Sequence, residues 1–283
     1  MPRTELVVTL GARLYAVERP WGELPAGMSL AFVSQVAVDA AGFVYLCQRH
    51  DPPVVVFDPD GRYVRSWGTG VIADAHGIAA TPENHIVVVD RDAHQLLFFD
   101  TFGQLVHTLG GRHRPRWQAP FNHPCDVAVA ADGEIYIADG YGNSAVHRFA
   151  ADGTWLATWG APGSGPGEFT TPHAVWVDQL DRVLVADREN NRVQVFDRTG
   201  VFQDAWGDHY HPMDIYVDGD GMVLVTDQIP RLSMHAPDGT LAGRCRPVAY
   251  GAHGIWGDAR GNIYLAEANP MNRITRLTPL EPA

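Results

Sequence analysis

The chain has 283 residues and a formal net charge of −12, with 46% hydrophobic and 19% charged residues. This composition is typical of a globular protein that can bury a substantial core, and the negative charge argues against nucleic acid as a partner. All 21 basic residues are arginines, which excludes Schiff-base catalysis by lysine and any phosphate-binding loop that requires lysine.

The cysteines and the N-terminal segment bear on the cellular compartment. Cys47, Cys125 and Cys245 form no CxxC pair, so we expect no disulfide scaffold and favour a reducing, cytoplasmic setting. The first residues, MPRTELVVTLGARLYAVE, contain no apolar run of signal-peptide length. No segment approaches the ~18 consecutive apolar residues of a membrane span, so we expect no membrane partner. Nothing in the sequence indicates the oligomeric state.

A repeated phrase organises the chain. It comprises an apolar strand, a turn, a second strand that ends near Asp, a third strand, an Asp-Gly turn and a fourth strand that ends in Trp-Gly or Leu-Gly. First strands recur roughly every 40 to 50 residues, the size of a four-stranded blade. They begin near Val36, Gly77, Asp126, Ala174, Asp214 and Gly254. We therefore predict one all-β domain over residues 1–283, a six-bladed β-propeller whose repeats resemble the NHL type.

The sixth repeat lacks its last strand, and the N-terminus offers a replacement. The segment LVVTLG at residues 6–11 resembles LVHTLG at residues 105–110, the fourth strand of blade two. We expect this N-terminal strand to pair into the last blade and close the ring, which leaves no exposed edge there. Hairpin turns are predicted where Gly accepts positive φ, in the Asp-Gly pairs that begin at Asp60, Asp132, Asp152 and Asp238.

One register of the first strands is rich in histidine. A propeller places equivalent residues of each blade around a central axis, and blades two, four and six carry His76, His173 and His253 at one position. Three imidazoles about 120° apart suit Zn²⁺ with an open fourth position, and copper, iron or nickel would also fit. A hydrogen-bonded channel lining is the alternative. Met213 shares the register and is a candidate substrate contact.

A second register, at the end of the second strands, carries arginine. Arg49, Arg91 and Arg188 share this position, and Tyr141 lies one residue further on in blade three. Because the guanidinium fork suits carboxylates, we predict that these arginines bind substrate. A tyrosine near a metal ion and arginine can have a lowered pKa and act as a base. The alternative is that the arginines pair with the repeated aspartates of the rim.

Residues 121–196 resemble the peptidyl-α-hydroxyglycine α-amidating lyase, which is the lyase domain of peptidylglycine α-amidating monooxygenase. The phrases DVAV…IYIADGYGNSAV, GEFTTPHAVWV and VLVADRENNRVQVF carry the resemblance, and weaker copies, ADAHGIA and GAHGIWGD, extend it over nearly the whole chain. The resemblance implies a six-bladed propeller in which three histidines hold a zinc ion, at positions that match His76, His173 and His253.

The resemblance also implies a reaction and its residues. Lyases of this family cleave a carbinolamide N–C bond to give an amide and glyoxylate. Their tyrosine base matches Tyr141, and their active-site arginines match Arg188 and Arg49. The residue that binds a structural calcium in the family, directly after the third zinc histidine, is Gly254 here, so we do not expect calcium. Two disulfide cysteines of the family are replaced by Gly142 and Val195.

Three functions remain open from the sequence. The first is a zinc-dependent lyase that acts on a small hemiaminal or α-hydroxy acid derivative. The second is a metal-dependent hydrolase or hydratase at the same site, by analogy with lactonase propellers. The third is a non-catalytic interaction scaffold built from NHL repeats. The first two require a small-molecule substrate, and we favour the lyase.

Overall fold

Six β-sheets form a closed ring in the computed structural model, which describes residues 6–281. The inner strand of each sheet packs against the inner strands of its two neighbours, and the last inner strand packs against the first. The predicted six-bladed propeller is therefore confirmed. Within the described residues there is one helical turn, a 3₁₀ turn at Arg188–Asn190, and no helix is long and apolar enough to cross a bilayer.

The strands follow the chain from the centre of each blade outwards. Two strands come first, β1 (Leu6–Leu10) and β2 (Arg13–Trp21). Blade one contains β3 (Val33–Val38), β4 (Val44–Gln48), β5 (Val54–Phe57) and β6 (Tyr63–Trp67). Blade two contains β7 (Ala75–Ala80), β8 (Ile86–Asp90), β9 (Gln95–Phe99) and β10 (Leu105–Gly110). Blade three contains β11 (Asp126–Val129), β12 (Ile135–Asp139), β13 (Ala145–Phe149) and β14 (Trp155–Trp159).

The remaining blades repeat this pattern. Blade four contains β15 (Pro172–Val177), β16 (Arg182–Asp187), β17 (Arg192–Asp197) and β18 (Phe202–Trp206). Blade five contains β19 (Pro212–Val217), β20 (Val223–Asp227), β21 (Leu232–His235) and β22 (Leu241–Cys245). Blade six contains β23 (Ala252–Gly257), β24 (Ile263–Glu267) and β25 (Arg273–Leu280), followed outwards by β2 and then β1.

The position of a strand in its blade explains how many of its residues are buried. Strands β3, β4 and β5 are buried on both faces because each blade is packed between two others, and they read as near-continuous apolar runs. Outer strands such as β10 are largely exposed. The predicted Asp-Gly turns are confirmed, with positive φ at Gly61, Gly133, Gly153 and Gly239.

A tryptophan at the end of a fourth strand covers a glycine of the next blade. A Cβ atom on Gly103 would lie 2.4 Å from Trp67, one on Gly200 2.6 Å from Trp159, and one on Gly239 2.3 Å from Trp206. Only glycine leaves room for the indole at these turns. At the closure of the ring, Trp21 of β2 occupies the same place over Gly61, where a Cβ would lie 3.2 Å from the ring.

The predicted closure of the last blade by the N-terminus is confirmed, but the strand that pairs with β25 is β2 and not residues 6–11. Strand β2 pairs directly with β25, whereas Leu6–Leu10 forms β1, an additional fifth strand outside β2. The phrase that marks a fourth strand is the terminal Trp-Gly, and it occurs at Trp21-Gly22. The likeness of LVVTLG to LVHTLG is a likeness between two exposed edge strands.

We expect Trp21→Ala to lower the free energy of unfolding by about 3–5 kcal/mol, because Trp21 is 3% exposed and packs against Phe57 and Tyr264. Urea unfolding followed by circular dichroism measures this. The matched control is Trp117→Ala, since Trp117 is 73% exposed. Equal losses in the two variants would show that Trp21 does not hold the ring closed.

Candidate metal centre

Three histidines meet in the central channel. Strands β7, β15 and β23 carry His76, His173 and His253 near their first residues, and the three side chains offer nitrogens that lie within 4.8 Å of one another. The ring centroids are 5.0–5.1 Å apart, and all three residues are buried. The structure thus brings together the histidines that the blade register singled out; we call this set the histidine tripod.

Each imidazole of the tripod is fixed by a backbone carbonyl of the next blade. His76 donates its Nδ1–H to the carbonyl of Cys125 at 2.7 Å. His173 donates to Met213 at 2.6 Å, and His253 donates to Ser34 at 2.7 Å. A carbonyl can only accept, so each Nδ1 carries the hydrogen and each Nε2 presents a lone pair. The carbonyls come from the same register in the odd-numbered blades.

Burial keeps the tripod neutral. It lowers the pKa of His76 and His173 well below the ordinary value, and it lowers the pKa of His253 to about 3. The other histidines and the nearby arginines lower these pKa values further. Neutral imidazole is the form that binds a metal ion.

A second polar layer lies one residue further along the inner strands. It consists of Gln35, Asp126 and Asp214 from the odd-numbered blades, and all three are buried. The even-numbered blades have Gly77, Ala174 and Gly254 at this position. The glycines make room, since a Cβ on Gly254 would lie 2.0 Å from Gln35 Oε1. Side chains therefore alternate, with histidines from even blades above and this layer from odd blades below.

The two carboxyl groups of the lower layer retain protons more tightly than usual. Burial raises the pKa of Asp126 to about 7, and burial next to Asp126 raises the pKa of Asp214 as well. Gln35 Nε2 donates to Asp214 Oδ2 at 2.6 Å, and the amide of Ile255 donates to the same oxygen at 2.6 Å. These donors only partly offset the cost of burying charge.

Tyr141 reaches the tripod from blade three. Its hydroxyl lies 3.2 Å from Nε2 of His76 and 3.2 Å from Nε2 of His173. Because both nitrogens are acceptors, the hydroxyl donates to one of them at a time. The loop that carries Tyr141 is held by Asp139, whose carboxylate accepts from Asn143 at 2.8 Å and from the amide of Asn122.

The protein's own groups raise the pKa of Tyr141, so the lowering predicted for a tyrosine beside a metal ion and arginine depends on that ion. The residue is 39% exposed, but its hydroxyl lies among buried imidazoles, and burial is the largest cause of the shift. Arg188 and Arg49 lower the pKa of the phenol and offset only part of this effect. The sequence identified the neighbours of Tyr141 but did not show how deeply its hydroxyl is buried.

Three arginines surround Tyr141, as their register implied. Arg188 Nη1 lies 3.4 Å from the hydroxyl, and the guanidinium of Arg91 lies 5.3 Å from the ring centroid. Arg91 pairs with Asp74 at 2.7 Å, so the alternative of paired arginines also holds for this residue. Arg49 stacks over Phe32 at 4.4 Å and lies 3.8 Å from Asp74.

Some groups that hold the arginines and the tripod in place were not predicted from the sequence. Asp74 lies between Arg49 and Arg91, immediately before the first strand of blade two. The carbonyls of Ser34, Cys125 and Met213 orient the tripod, whereas Met213 was singled out only for its side chain. A backbone acceptor leaves no residue-type signal, although the shared register pointed to these positions.

The sequence of this chain is similar to that of known proteins. The family model described as NHL repeat matches residues 121–149 and 169–196. NHL repeat-containing protein 3 of Homo sapiens is 34% identical over 237 residues, which cover 76% of this chain and 68% of the human protein.

The chain belongs to the NHL-repeat family.

Amidating lyases are also relatives of this NHL-repeat protein. A probable peptidyl-α-hydroxyglycine α-amidating lyase of Caenorhabditis elegans is 35% identical over 148 residues, 50% of this chain and 42% of the nematode protein. Peptidyl-α-hydroxyglycine α-amidating lyase 1 of Drosophila melanogaster is 28% identical over 250 residues, 75% of this chain and 46% of the fly protein. The matched regions span less than half of either lyase.

Solved structures share the propeller architecture at low sequence identity. A streptogramin B lyase superposes with a TM-score of 0.71 at 13% identity, over 94% of this chain and 98% of that chain. A gluconolactonase from Xanthomonas campestris superposes with a TM-score of 0.71 at 16% identity, over 96% and 91% of the two chains. At these identities the likeness establishes the fold of this NHL-repeat protein and no more.

We expect Asp126→Asn to stabilise the protein increasingly as pH rises from 5 to 8. The pKa of Asp126 is about 7 in the folded protein and roughly 3.9 in the unfolded chain, so the folded state loses stability over this interval as the carboxyl ionises. The advantage of the amide should grow by roughly 2 kcal/mol. Urea unfolding in the presence of EDTA measures it.

Asp152→Asn is the control for this titration. Asp152 is exposed, and its pKa is lowered by the amide of Thr154, so its charge is the same at pH 5 and pH 8. The difference between this variant and the wild type should not change with pH. A pH-independent effect of Asp126→Asn would mean that Asp126 is ionised in the folded protein throughout.

Proposed function

We propose that this protein is a metal-dependent lyase of the amidating-lyase type, acting on a small hemiaminal or α-hydroxy acid derivative. The observation that carries the proposal is the hydroxyl of Tyr141, 3.2 Å from the Nε2 atoms of two tripod histidines and 3.4 Å from Arg188. Three imidazoles, a phenol and a guanidinium thus converge at one mouth of the channel. The kinship with amidating lyases supports the same assignment.

The tripod fits a zinc ion. Its donors are three neutral imidazoles whose Nδ1–H groups donate to carbonyls and whose ligand nitrogens lie within 4.8 Å of one another. Three such donors would leave one coordination position of a zinc ion for water or substrate. The buried carboxyl groups of Asp126 and Asp214 favour a cation above them. When bound, the ion supplies Lewis acidity that polarises substrate oxygens.

The arginines divide between substrate and tyrosine. The guanidinium of Arg49 is free to take a carboxylate, because its nearest acid, Asp74, is 3.8 Å away and is already paired with Arg91. Arg188 donates to the Tyr141 hydroxyl and favours its phenolate form. A substrate carboxylate held by Arg49 therefore lies beside the group that removes a proton.

Tyr141 is the proposed general base. As a phenolate, the form that Arg188 and a bound cation would favour, it takes the proton from the hydroxyl group of a carbinolamide, and the hydroxyl oxygen becomes the aldehyde oxygen of glyoxylate as the C–N bond breaks. The bonding electron pair stays on nitrogen, which takes up the proton from Tyr141 and leaves as the amide. No water is consumed, so the reaction is an elimination.

A hydrolase or hydratase is the second candidate, because a gluconolactonase shares the fold and the same tripod could hold a reactive water. Product analysis separates the two reactions. A lyase yields a carbonyl product without net uptake of solvent oxygen, whereas a lactonase incorporates ¹⁸O from labelled water into its product acid.

We expect His173→Ala to lose about one equivalent of bound metal per chain, measured by elemental analysis of protein purified without added metal. The ligand set is then incomplete, and the remaining two imidazoles bind weakly. His107→Ala is the control, since His107 lies on an exposed outer strand. Substoichiometric metal in the wild type, or full retention in His173→Ala, would favour a non-catalytic scaffold.

We expect Tyr141→Phe to lower glyoxylate release from an α-hydroxyglycine derivative by roughly 10²–10⁴-fold in kcat, because general base catalysis contributes this much. Bound metal should be retained, since the proposed ligands are the three imidazoles and not the Tyr141 hydroxyl. Tyr63→Phe, on an outer strand of blade one, should leave turnover unchanged. Unchanged turnover in Tyr141→Phe would reject Tyr141 as the base.

A further inference from the structure

At the end of the channel away from Tyr141, large aromatic residues occur in only half of the blades. Each inner strand has an equivalent position three residues after that of the tripod histidines, which is about 10 Å further along the strand. Blades four to six carry aromatic residues there: Trp176, Tyr216 and Trp256. Blades one to three have only alanine at this position, in Ala37, Ala79 and Ala128. The aromatic rings contact edge to face, with centroids 5.0 Å apart for Trp176 and Trp256 and 5.3 Å for Trp176 and Tyr216.

These aromatic residues line a cavity of about 580 Å³ between blades five and six. We call it the far-mouth cavity; Tyr15, Arg13 and the strand-connecting turns that follow β19 and β23 complete its wall. Its lining includes none of the tripod histidines and none of the three arginines around Tyr141. Its volume lies in the range of small-molecule sites, and its wall combines large aromatic rings with a few charged groups.

The charge in this cavity is negative. Asp218 and Asp220 share one cation, Arg13, at 2.5 Å and 2.8 Å, whereas Asp258 lies 3.6 Å from Arg260. Asp258 is held in its turn by the side chains of Asn262 and Tyr264. Two guanidiniums therefore face three carboxylates, which leaves one negative charge in excess, in a protein whose net charge is −12.

We propose that the far-mouth cavity binds a small organic cation with an alkylammonium head. Aromatic rings attract such a cation through their negative faces, and the excess carboxylate charge adds to this attraction. An anionic ligand would be repelled by the same carboxylates. A neutral apolar ligand would fill the cavity but gain nothing from Asp218 and Asp220. The site is independent of the proposed lyase function.

Fluorine NMR of protein labelled with 5-fluorotryptophan tests the proposal, because the eight tryptophans give separate probes. Trp176→Phe and Trp256→Phe assign the two signals of the cavity. The probe ligand is choline, and its neutral isostere 3,3-dimethylbutan-1-ol has the same shape without the charge. We expect choline to shift both cavity signals and to bind about tenfold or more tightly than the alcohol.

Paired aspartate variants test the electrostatic argument. Asp220→Asn removes a carboxylate that pairs with Arg13, and we expect choline affinity to fall about threefold or more. Asp60→Asn is the matched control, because Asp60 is also an exposed aspartate and pairs with Arg62 in blade one. The spectra themselves report whether each variant is folded. Equal binding of the alcohol, choline shifts confined to other tryptophans, or equal effects of the two substitutions would overturn the proposal.

Discussion

The hydrogen bond from each tripod histidine to a carbonyl of the neighbouring blade is the contact on which the site depends. Because an odd-numbered blade supplies each acceptor, all six blades take part in holding three rings. The bond fixes the tautomer and the ring orientation, so little side-chain entropy is left to lose when Nε2 binds a ligand. The geometry of the centre is therefore a property of the ring as a whole.

Alternation between odd and even blades gives the channel two polar layers without crowding. Histidines project above, and the acidic layer of Asp126 and Asp214 projects below, where Gly77 and Gly254 leave space. When ionised, these carboxylates would strengthen the attraction of the tripod for a cation, because charges interact strongly in a medium of low polarity. Conversely, a bound cation would lower the pKa of both carboxyl groups.

Repetition made much of this structure predictable. Stacking six repeats gave the blade number, the tripod and the arginine register, because equivalent positions around an axis become neighbours in space. The outer closing strand was less predictable, since exposed edge strands such as β1 and β10 resemble each other without sharing a place. The pKa of Tyr141 depends on the depth of one hydroxyl, and the acceptors of the tripod are backbone atoms. Neither property can be predicted from residue types alone.

The tripod crosses the seam of the ring. His253 lies in the blade that the two ends of the chain build together, and its Nδ1–H reaches the carbonyl of Ser34 in blade one. His76 and His173 precede His253 in the chain, and His253 reaches Ser34 only when blade six lies against blade one. An ion held by all three histidines would therefore bind only to the closed ring and would oppose its reopening.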